Sequence, residues 1–145
     1  MERTWDGLPV AQEQPRGVGI VVFRNSAVGR EYLILHRAHL GDGYEGEWAW
    51  GGPGGARLPG EAVDRCAKRE LVEETGLDLE VHRTDFGNEA CVIYVAVAAP
   101  DGSVRLSEEH DRFEWVPLAE AVSRCSPPEV AEQFERVHDR LARCA

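Results

Sequence analysis

The sequence predicts a single α/β domain, and three observations indicate this class. β-branched runs of strand length, such as residues 17–23, recur along the chain between glycine-rich or charged loops. One helix-permissive segment, about four turns that follow a glycine-rich loop and end at Gly76, interrupts them near the middle. After the last strand-like run the pattern becomes helical, with Val130, Phe134 and Val137 recurring on one face. Strands that enclose one helix and precede others are typical of a layered α/β domain.

The first part of the chain predicts an arm followed by a hairpin. Residues 1–16 show no sustained period and are expected to form a loosely held N-terminal arm, with Trp5 as its anchor. The runs at 17–23 and 31–37 are expected to pair as two strands joined by a long turn. Residues 38–47 are too rich in glycine and charge for regular structure.

The second part of the chain predicts strands and then helices. Residues 90–99 are almost continuously apolar, which favours a central strand covered on both faces. Asp101 and Gly102 then give a turn signal. The other predicted elements are a short strand at 48–52, a helix ending before Gly76, a half-buried strand at 77–83, a short strand at 113–116, and helices at 118–124 and 128–142.

Size and charge limit the function classes. A chain of 145 residues is expected to form one domain, residues 1–145, with a substantial core. Its 26 acidic and 16 basic residues give a net charge of −10, which argues against binding duplex nucleic acid. A small phosphorylated substrate remains compatible, since a bound cation inverts the local charge. No apolar run has the length of a signal peptide core or a membrane span, so a cytoplasmic protein without membrane association is predicted.

The cysteines predict neither a disulfide framework nor a zinc site. No CxxC pair and no matching histidine spacing is present. Reduced thiols in the cytoplasm are expected instead. The four residues are Cys66, Cys91, Cys125 and Cys144.

The predicted helix of about four turns that ends at Gly76 carries a cluster of carboxylates. At about 100° per residue, Glu70, Glu73 and Glu74 fall within an arc of roughly 100° on one face. Carboxylates this close repel one another, and a divalent cation removes that cost. Ligand sets made only of oxygen favour Mg²⁺ or Mn²⁺ over zinc. Taken alone, the cluster is equally compatible with a solvated acidic helix face.

The residues around the carboxylates favour the metal site. Gly54, Gly55 and Gly60 permit tight backbone turns before the helix. Arg69 lies one helical turn before Glu73 and is in reach to pair with a carboxylate of the cluster. Gly76 stands where a helix C-cap glycine is expected.

With these residues in place, the stretch GARLPGEAVDRCAKRELVEETGL at 55–77 resembles the Nudix box, and the chain is identified as a member of the Nudix hydrolase family, similar to MutT. Every fixed position of the box is filled. These positions are Gly55, Glu61, Arg69, Glu70, Leu71, Glu73, Glu74, Gly76 and Leu77. The resemblance implies an α/β/α sandwich with a mixed central β-sheet, in which the box forms a loop-helix-loop.

The resemblance also implies a reaction and a metal site. It implies a Mg²⁺-dependent pyrophosphohydrolase, with Mn²⁺ as an alternative ion, in which water attacks phosphorus and cleaves the diphosphate linkage of a nucleoside diphosphate joined to another moiety. The expected metal ligands are the carboxylates of Glu70, Glu73 and Glu74 and the carbonyl of Gly54. Gly55, Glu61 and Gly76 are expected to support the box, and Arg69 to orient a box glutamate. The expected partner is a small nucleotide or another diphosphate, and a homodimer is compatible with the resemblance.

Two positions remain open for the general base. Family members use either a glutamate of the box or one from a later loop. Residues 107–110, followed by Trp115, resemble the second arrangement, and Glu109 is the matching residue. A plain polar turn before an edge strand explains the same residues equally well.

The substrate pocket is the least determined part. Tyr44, Trp48 and Trp50 lie in or beside the loop that enters the box, where an aromatic ring would stack on a base. Tyr44 is the one expected to be exposed and to contact substrate, whereas Trp50 is expected to pack in the core. Arg37, at the end of a predicted strand, matches a basic position that contacts phosphate, and a surface arginine is an equal alternative. Gly52 and Leu58 depart from common family residues and weaken any transfer of substrate identity from a subfamily.

Two other functions stay open within the same fold. An isoprenyl-diphosphate isomerase-like activity would need a positioned acid and a reactive cysteine, and nothing in the sequence marks Cys66 or Cys91 as activated. A catalytically inactive nucleotide-sensing domain would tolerate losses in the box, yet no fixed position is lost. Oxidised nucleotides, sugar nucleotides, dinucleoside polyphosphates and pterin triphosphates all remain candidate substrates.

Overall fold

The computed structural model describes residues 7–143, which form one mixed β-sheet and three α-helices. Trp5 and Cys144 therefore lie outside the described residues. The strands are β1 Gly17–Ser26, β2 Gly29–Arg37, β3 Trp50–Gly51, β4 Gly54–Ala56, β5 His82–Gly87, β6 Val92–Ala98 and β7 His110–Val116. The helices are α1 Val63–Thr75, α2 Leu118–Arg124 and α3 Pro128–Arg143, and a short 3-10 turn covers Ala38–Leu40.

β1 is the strand around which the sheet is organised. It runs antiparallel to β2 and β4 and parallel to β6. β2 in turn pairs antiparallel with β3 and β7, and β5 pairs antiparallel with β6. The sheet is therefore mixed, as the resemblance implies.

Helices cover both faces of the sheet. Along β1, Ile20 and Val22 belong to the cluster that packs against α1, whereas Val21 and Phe23 belong to the cluster that packs against α2 and α3. This alternation is the period of two that places successive strand residues on opposite faces. The α/β/α sandwich is confirmed.

Several predicted elements are confirmed with small changes in length. β6 lies between β1 and β5 and packs on both faces, as its apolar sequence indicates. α2 and α3 begin where expected, and α3 buries Val130, Phe134 and Val137. α1 ends at the predicted glycine, since Gly76 adopts φ 72°, a left-handed conformation that glycine reaches without steric cost.

The strand predicted at 77–83 is wrong in position. Residues 77–81 form no strand, and β5 begins only at His82. The alternation nevertheless indicates which side chains are buried, because Leu77, Leu79 and Val81 all pack into the core cluster that contains the buried side of α1. The Lys68 side chain donates a hydrogen bond of 2.7 Å to the Leu79 carbonyl, so a side chain rather than a neighbouring strand satisfies this carbonyl.

Two loops are more regular than expected. The first hairpin has a short turn rather than a long one, because Ser26 pairs directly with Gly29. The glycine-rich start of the box forms β4 against β1, although glycine is depleted in strands and gives no signal there.

β7 also starts earlier than predicted, at His110.

The described part of the N-terminal arm contacts Arg57. This arginine is buried and donates hydrogen bonds of 2.9 Å to the Glu13 carbonyl and 3.0 Å to the Pro15 carbonyl. The Ala11 amide donates to the Arg57 carbonyl at 2.7 Å, and Ala11 is fully buried. The arm therefore lies against the start of the box.

Within the described residues, none of the helices combines the length and the apolar character needed to cross a membrane.

Candidate active site

A cleft of about 1110 Å³ runs across the C-terminal end of β2, strand β4 and the buried face of α1. One part of its lining is acidic and comes from α1 and the 107–110 segment. Another part carries basic and aromatic groups from the end of β2 and the segment before β3. Among the predicted site residues, the cleft is lined by Arg37, Gly54, Gly55, Arg69, Glu70, Glu73, Glu74 and Glu109.

Two of the box glutamates are buried at the bottom of the cleft. Glu70 and Glu74 have relative exposures of 8% and 2%. The Gly54 amide donates a hydrogen bond of 3.0 Å to Glu74 Oε2. Burial raises the pKa of Glu74 well above its usual value, and the neighbouring Glu70 and Glu109 carboxylates raise it further.

Glu73 differs from the other two box glutamates. It lies on the same helix, but its side chain is 56% exposed. It contacts Arg69 at 3.2 Å rather than a buried neighbour. Helical spacing predicts the three carboxylates on one face, and burial separates Glu73 from the other two.

The glycine at the start of the box makes room for Glu70. A Cβ atom on Gly55 would stand 2.7 Å from the Glu70 carboxyl carbon, which is closer than real side chains approach. Since β4 pairs with β1, its backbone cannot move away easily. Gly55 therefore permits the buried position of the carboxylate.

Arg69 connects the loop of the box to its helix. Its guanidinium donates to both carboxylate oxygens of Glu61, at 2.7 and 2.9 Å, and to Glu70 Oε1 at 2.9 Å. The Leu58 amide also donates to Glu61, and the Arg69 hydrogen bond lowers the pKa of Glu61. The expected contact with a box glutamate is present, but the bidentate partner is Glu61, which fixes the arginine in place.

The later loop reaches the acidic part of the cleft. Donor atoms of Glu74, Glu109 and His110 lie within 4.8 Å of one another. The Ala38 amide donates to the Glu109 carbonyl at 2.9 Å, which ties this loop to the end of β2. The stretch 107–110 with Trp115, which indicates Glu109 as a candidate base, contains His110 but gives it no role of its own.

The donor set of this region fits a divalent cation. Glu70 and Glu74 are buried beside each other, and Glu109 adds a third negative charge. No basic side chain among the described residues forms a close ion pair with Glu74, apart from the His110 contact at 3.5 Å. A cation that binds oxygen would offset this repulsion.

The basic and aromatic part of the cleft contains Arg37 and Trp48. Both side chains are exposed, and the Arg37 guanidinium lies 5.8 Å from the centre of the Trp48 ring. Trp48 has a positive φ of 69°, and no other non-glycine residue among residues 7–143 has a positive φ. A tryptophan held in this unfavourable conformation is a feature of the site that sequence patterns do not reveal.

Tyr44, the aromatic residue predicted to contact substrate, does not belong to the described lining of the cleft. Its carbonyl accepts a hydrogen bond of 2.6 Å from the buried His36 ring, which holds the preceding loop. Trp50 is buried as expected, and its Nε1 donates to Glu45. Trp48 is therefore the exposed aromatic residue of this loop that borders the cleft.

The cysteines show no sign of activation. Burial raises the pKa of Cys66 to about 12 and that of Cys91 to about 11, so both thiols stay protonated at neutral pH. Cys91 borders the cleft. The structure thus gives no support to an isomerase that depends on a reactive cysteine.

Comparison with known proteins agrees with the fold and the box. The model of the NUDIX domain matches residues 13–141. The bis(5'-nucleosyl)-tetraphosphatase (asymmetrical) of Rattus norvegicus is 29% identical, over 87% of this chain and 95% of the relative.

Solved structures share the architecture. A C. elegans Ap4A hydrolase in a binary complex superposes with a TM-score of 0.72 and 24% identity, covering 88% of this chain and 98% of that one. The Nudix hydrolase RenU of M. smegmatis gives a TM-score of 0.74 and 20% identity, covering 99% and 94%. At these identities the structures establish the fold.

The match to the family model extends over most of the chain and includes the complete box, the sheet and most of α3. The chain belongs to the NUDIX family, and it is a hydrolase of the class that acts on diphosphate-containing substrates.

Proposed function

We propose that this protein is a Mg²⁺-dependent hydrolase that cleaves the diphosphate linkage of a nucleoside diphosphate joined to another moiety, with dinucleoside polyphosphates as the preferred class. The observation that carries the proposal is the cleft in which buried carboxylates and an exposed Arg37–Trp48 pair face one space. The name of the rat relative, a tetraphosphatase that acts on bis(5'-nucleosyl) compounds, supports the substrate class.

The proposed metal site consists of Glu70, Glu73 and Glu74 with the Gly54 carbonyl. A divalent cation, when bound there, supplies positive charge to the phosphoryl oxygens and stabilises the leaving phosphate. Mn²⁺ is expected to substitute for Mg²⁺, since both bind carboxylate oxygen. Glu73, the exposed member, is expected to contribute less than the two buried carboxylates.

The residues around these ligands keep them in position. Arg69 holds Glu70 through a hydrogen bond of 2.9 Å and is itself fixed by Glu61. The Gly54 amide orients Glu74. We assign the general base to Glu109, because its carboxylate lies close enough to Glu74 and His110 to take a proton from an attacking water at that point.

The other part of the cleft is suited to a nucleotide. Base stacking on an aromatic ring contributes about 1–3 kcal/mol and needs no specific base edge. Arg37 lies close to the Trp48 ring and is the β2 residue that pairs with His110 of β7, so it lies between the aromatic and the acidic parts. A base on Trp48 would therefore bring its phosphates past Arg37 towards the carboxylates.

The proposal is tested with purified protein and diadenosine tetraphosphate, ADP-ribose, a sugar nucleotide and an oxidised nucleoside triphosphate. We expect hydrolysis that requires millimolar Mg²⁺ or Mn²⁺ and stops when EDTA is added. In ¹⁸O-labelled water the label should enter a phosphate product, because water attacks phosphorus. Full activity in metal-free buffer would contradict the metal site, and no hydrolysis across the panel would favour the inactive sensing domain.

The base-binding role of Trp48 gives a separate prediction. Trp48→Ala should raise KM roughly 5- to 150-fold, the equivalent of losing one stacking contact of about 1–3 kcal/mol, with a smaller change in kcat. Trp48→Phe should recover part of this loss. Tyr44→Ala is the matched control, because Tyr44 lies in the same loop outside the cleft lining. A larger KM effect from Tyr44→Ala than from Trp48→Ala would return the stacking role to Tyr44.

A further inference from the structure

The side chain of His110 has an unsatisfied nitrogen that points into the acidic part of the cleft. His110 has a relative exposure of 8%, and its Nδ1 has no hydrogen-bond partner. In the described part of the chain only one other buried side-chain atom, Arg30 Nε, shares this condition. A buried polar atom without a partner costs about 1–3 kcal/mol, so its position needs a physical reason.

Hydrogen bonding to Glu74 does not supply that reason. His110 Nδ1 lies 3.5 Å from Glu74 Oε1, which is longer than the N–H···O distance of a good hydrogen bond. The neighbouring carboxylate of Asp111 accepts from His36 at 2.7 Å instead. The His110 nitrogen therefore faces a carboxylate without bonding to it.

The separation of these atoms matches two ligands of one ion. Two donors that each lie about 2.1 Å from a cation stand roughly 3.0 Å apart at right angles and up to about 4.2 Å apart on opposite sides. The distance of 3.5 Å falls within this range. Glu109 is the third member of the cluster, in which one donor atom from each of the three residues lies within 4.8 Å of the others.

We infer that His110 Nδ1 is a nitrogen ligand of a divalent cation shared with Glu74, which gives this site a mixed nitrogen and oxygen donor set. The inference rests on the metal dependence in the proposed function and adds a ligand that the box does not contain. Since imidazole binds Mn²⁺, Co²⁺ and other transition metals better than it binds Mg²⁺, the site should favour transition metals more than an all-oxygen site does.

The experiment measures nitrogen coordination directly. Mn²⁺ is added to the full-length protein without substrate, and pulsed EPR detects nitrogen nuclei bound to the ion. The measurement is repeated on protein whose histidine side chains carry ¹⁵N, which separates imidazole nitrogen from peptide nitrogen. We expect an imidazole signal that changes from ¹⁴N to ¹⁵N on labelling.

Two variants identify the histidine. His110→Gln should remove the imidazole signal and weaken Mn²⁺ binding roughly 10-fold or more, with a smaller loss for Mg²⁺. His39→Gln is the matched control, because His39 also borders the cleft and should leave the signal in place. The labelling result on the unchanged protein stands even where His110→Gln folds poorly.

The outcomes separate this inference from the proposed function. Bound Mn²⁺ without imidazole coupling, or coupling that survives in His110→Gln, overturns the role of His110 alone. A protein that binds no Mn²⁺ overturns the metal site of the proposed function together with this inference.

Discussion

Replacing Glu74 with glutamine is expected to lower turnover at least about 100-fold while raising the melting temperature of the metal-free protein. Losing a group that only orients a metal ligand costs roughly 10–100-fold, so losing a buried ligand should cost more. Stability should change in the opposite direction, because Glu74 is buried beside Glu70 and Glu109, and its ionised form is disfavoured. Glutamine keeps an oxygen that can accept from the Gly54 amide and removes the negative charge.

The two readouts distinguish loss of a ligand from loss of the fold. Thermal melting with and without Mg²⁺ and turnover on one substrate are measured for both proteins. Mg²⁺ should raise the melting temperature of the unchanged protein and have little effect on the variant. Glu135→Gln, an exposed change on α3, is the control and should alter neither quantity. A Glu74→Gln variant that keeps its activity, or that melts earlier without metal, would contradict the assigned role.

The difference between the three box glutamates shows how far helical spacing reaches. The period of 3.6 is enough to predict that Glu70, Glu73 and Glu74 share one face of α1. It does not show that Glu70 and Glu74 lie under β4 and the later loop while Glu73 faces solvent. The difference in burial depends on elements that are far away in sequence, and the spacing of residues within one helix carries no information about them.

The errors in predicting strands have the same cause, which is that strand formation depends on partners distant in sequence. β4 consists of residues with low strand propensity, and it forms because β1 offers a partner. Residues 77–81 alternate like a strand, yet they pair with no strand of the described chain, and Lys68 satisfies the Leu79 carbonyl instead. Alternation reports which side chains are buried, whereas a strand also requires a backbone partner.

The pocket was the hardest part to predict from sequence. Tyr44 and Trp48 lie in one loop with similar surroundings, and only the positive φ of Trp48 and the hydrogen bond from His36 to Tyr44 separate them. His110 follows Glu109 directly, but the absence of a partner for its Nδ1 is a three-dimensional property. The box motif assigns its residues from sequence, and a resemblance indicates Glu109 and Arg37, whereas the exposure of Trp48 and the orphaned nitrogen of His110 depend on loop geometry.

Replacing Glu109 with glutamine is expected to lower kcat by roughly 10²- to 10⁴-fold, the usual contribution of a general base. Affinity for Mg²⁺ should change little, because the buried ligands of α1 remain. Glutamine has a similar shape, so the contact of the Glu109 carbonyl with the Ala38 amide should persist and keep the loop in place. Turnover and Mg²⁺ affinity are measured together on one substrate across a magnesium titration.

The neighbouring residue provides the control for Glu109. Glu108→Gln makes the same change of charge in the same loop and should leave kcat within about twofold, as expected for a surface substitution. If Glu109→Gln lowers Mg²⁺ affinity and high Mg²⁺ restores the rate, Glu109 is a metal ligand and not the base. Near-normal rates for Glu109→Gln at every Mg²⁺ concentration would return the base to the box helix. Glu74 would then be the first residue to test, since it is buried and belongs to the Glu74–Glu109–His110 cluster, whereas Glu73 is exposed and lies outside it.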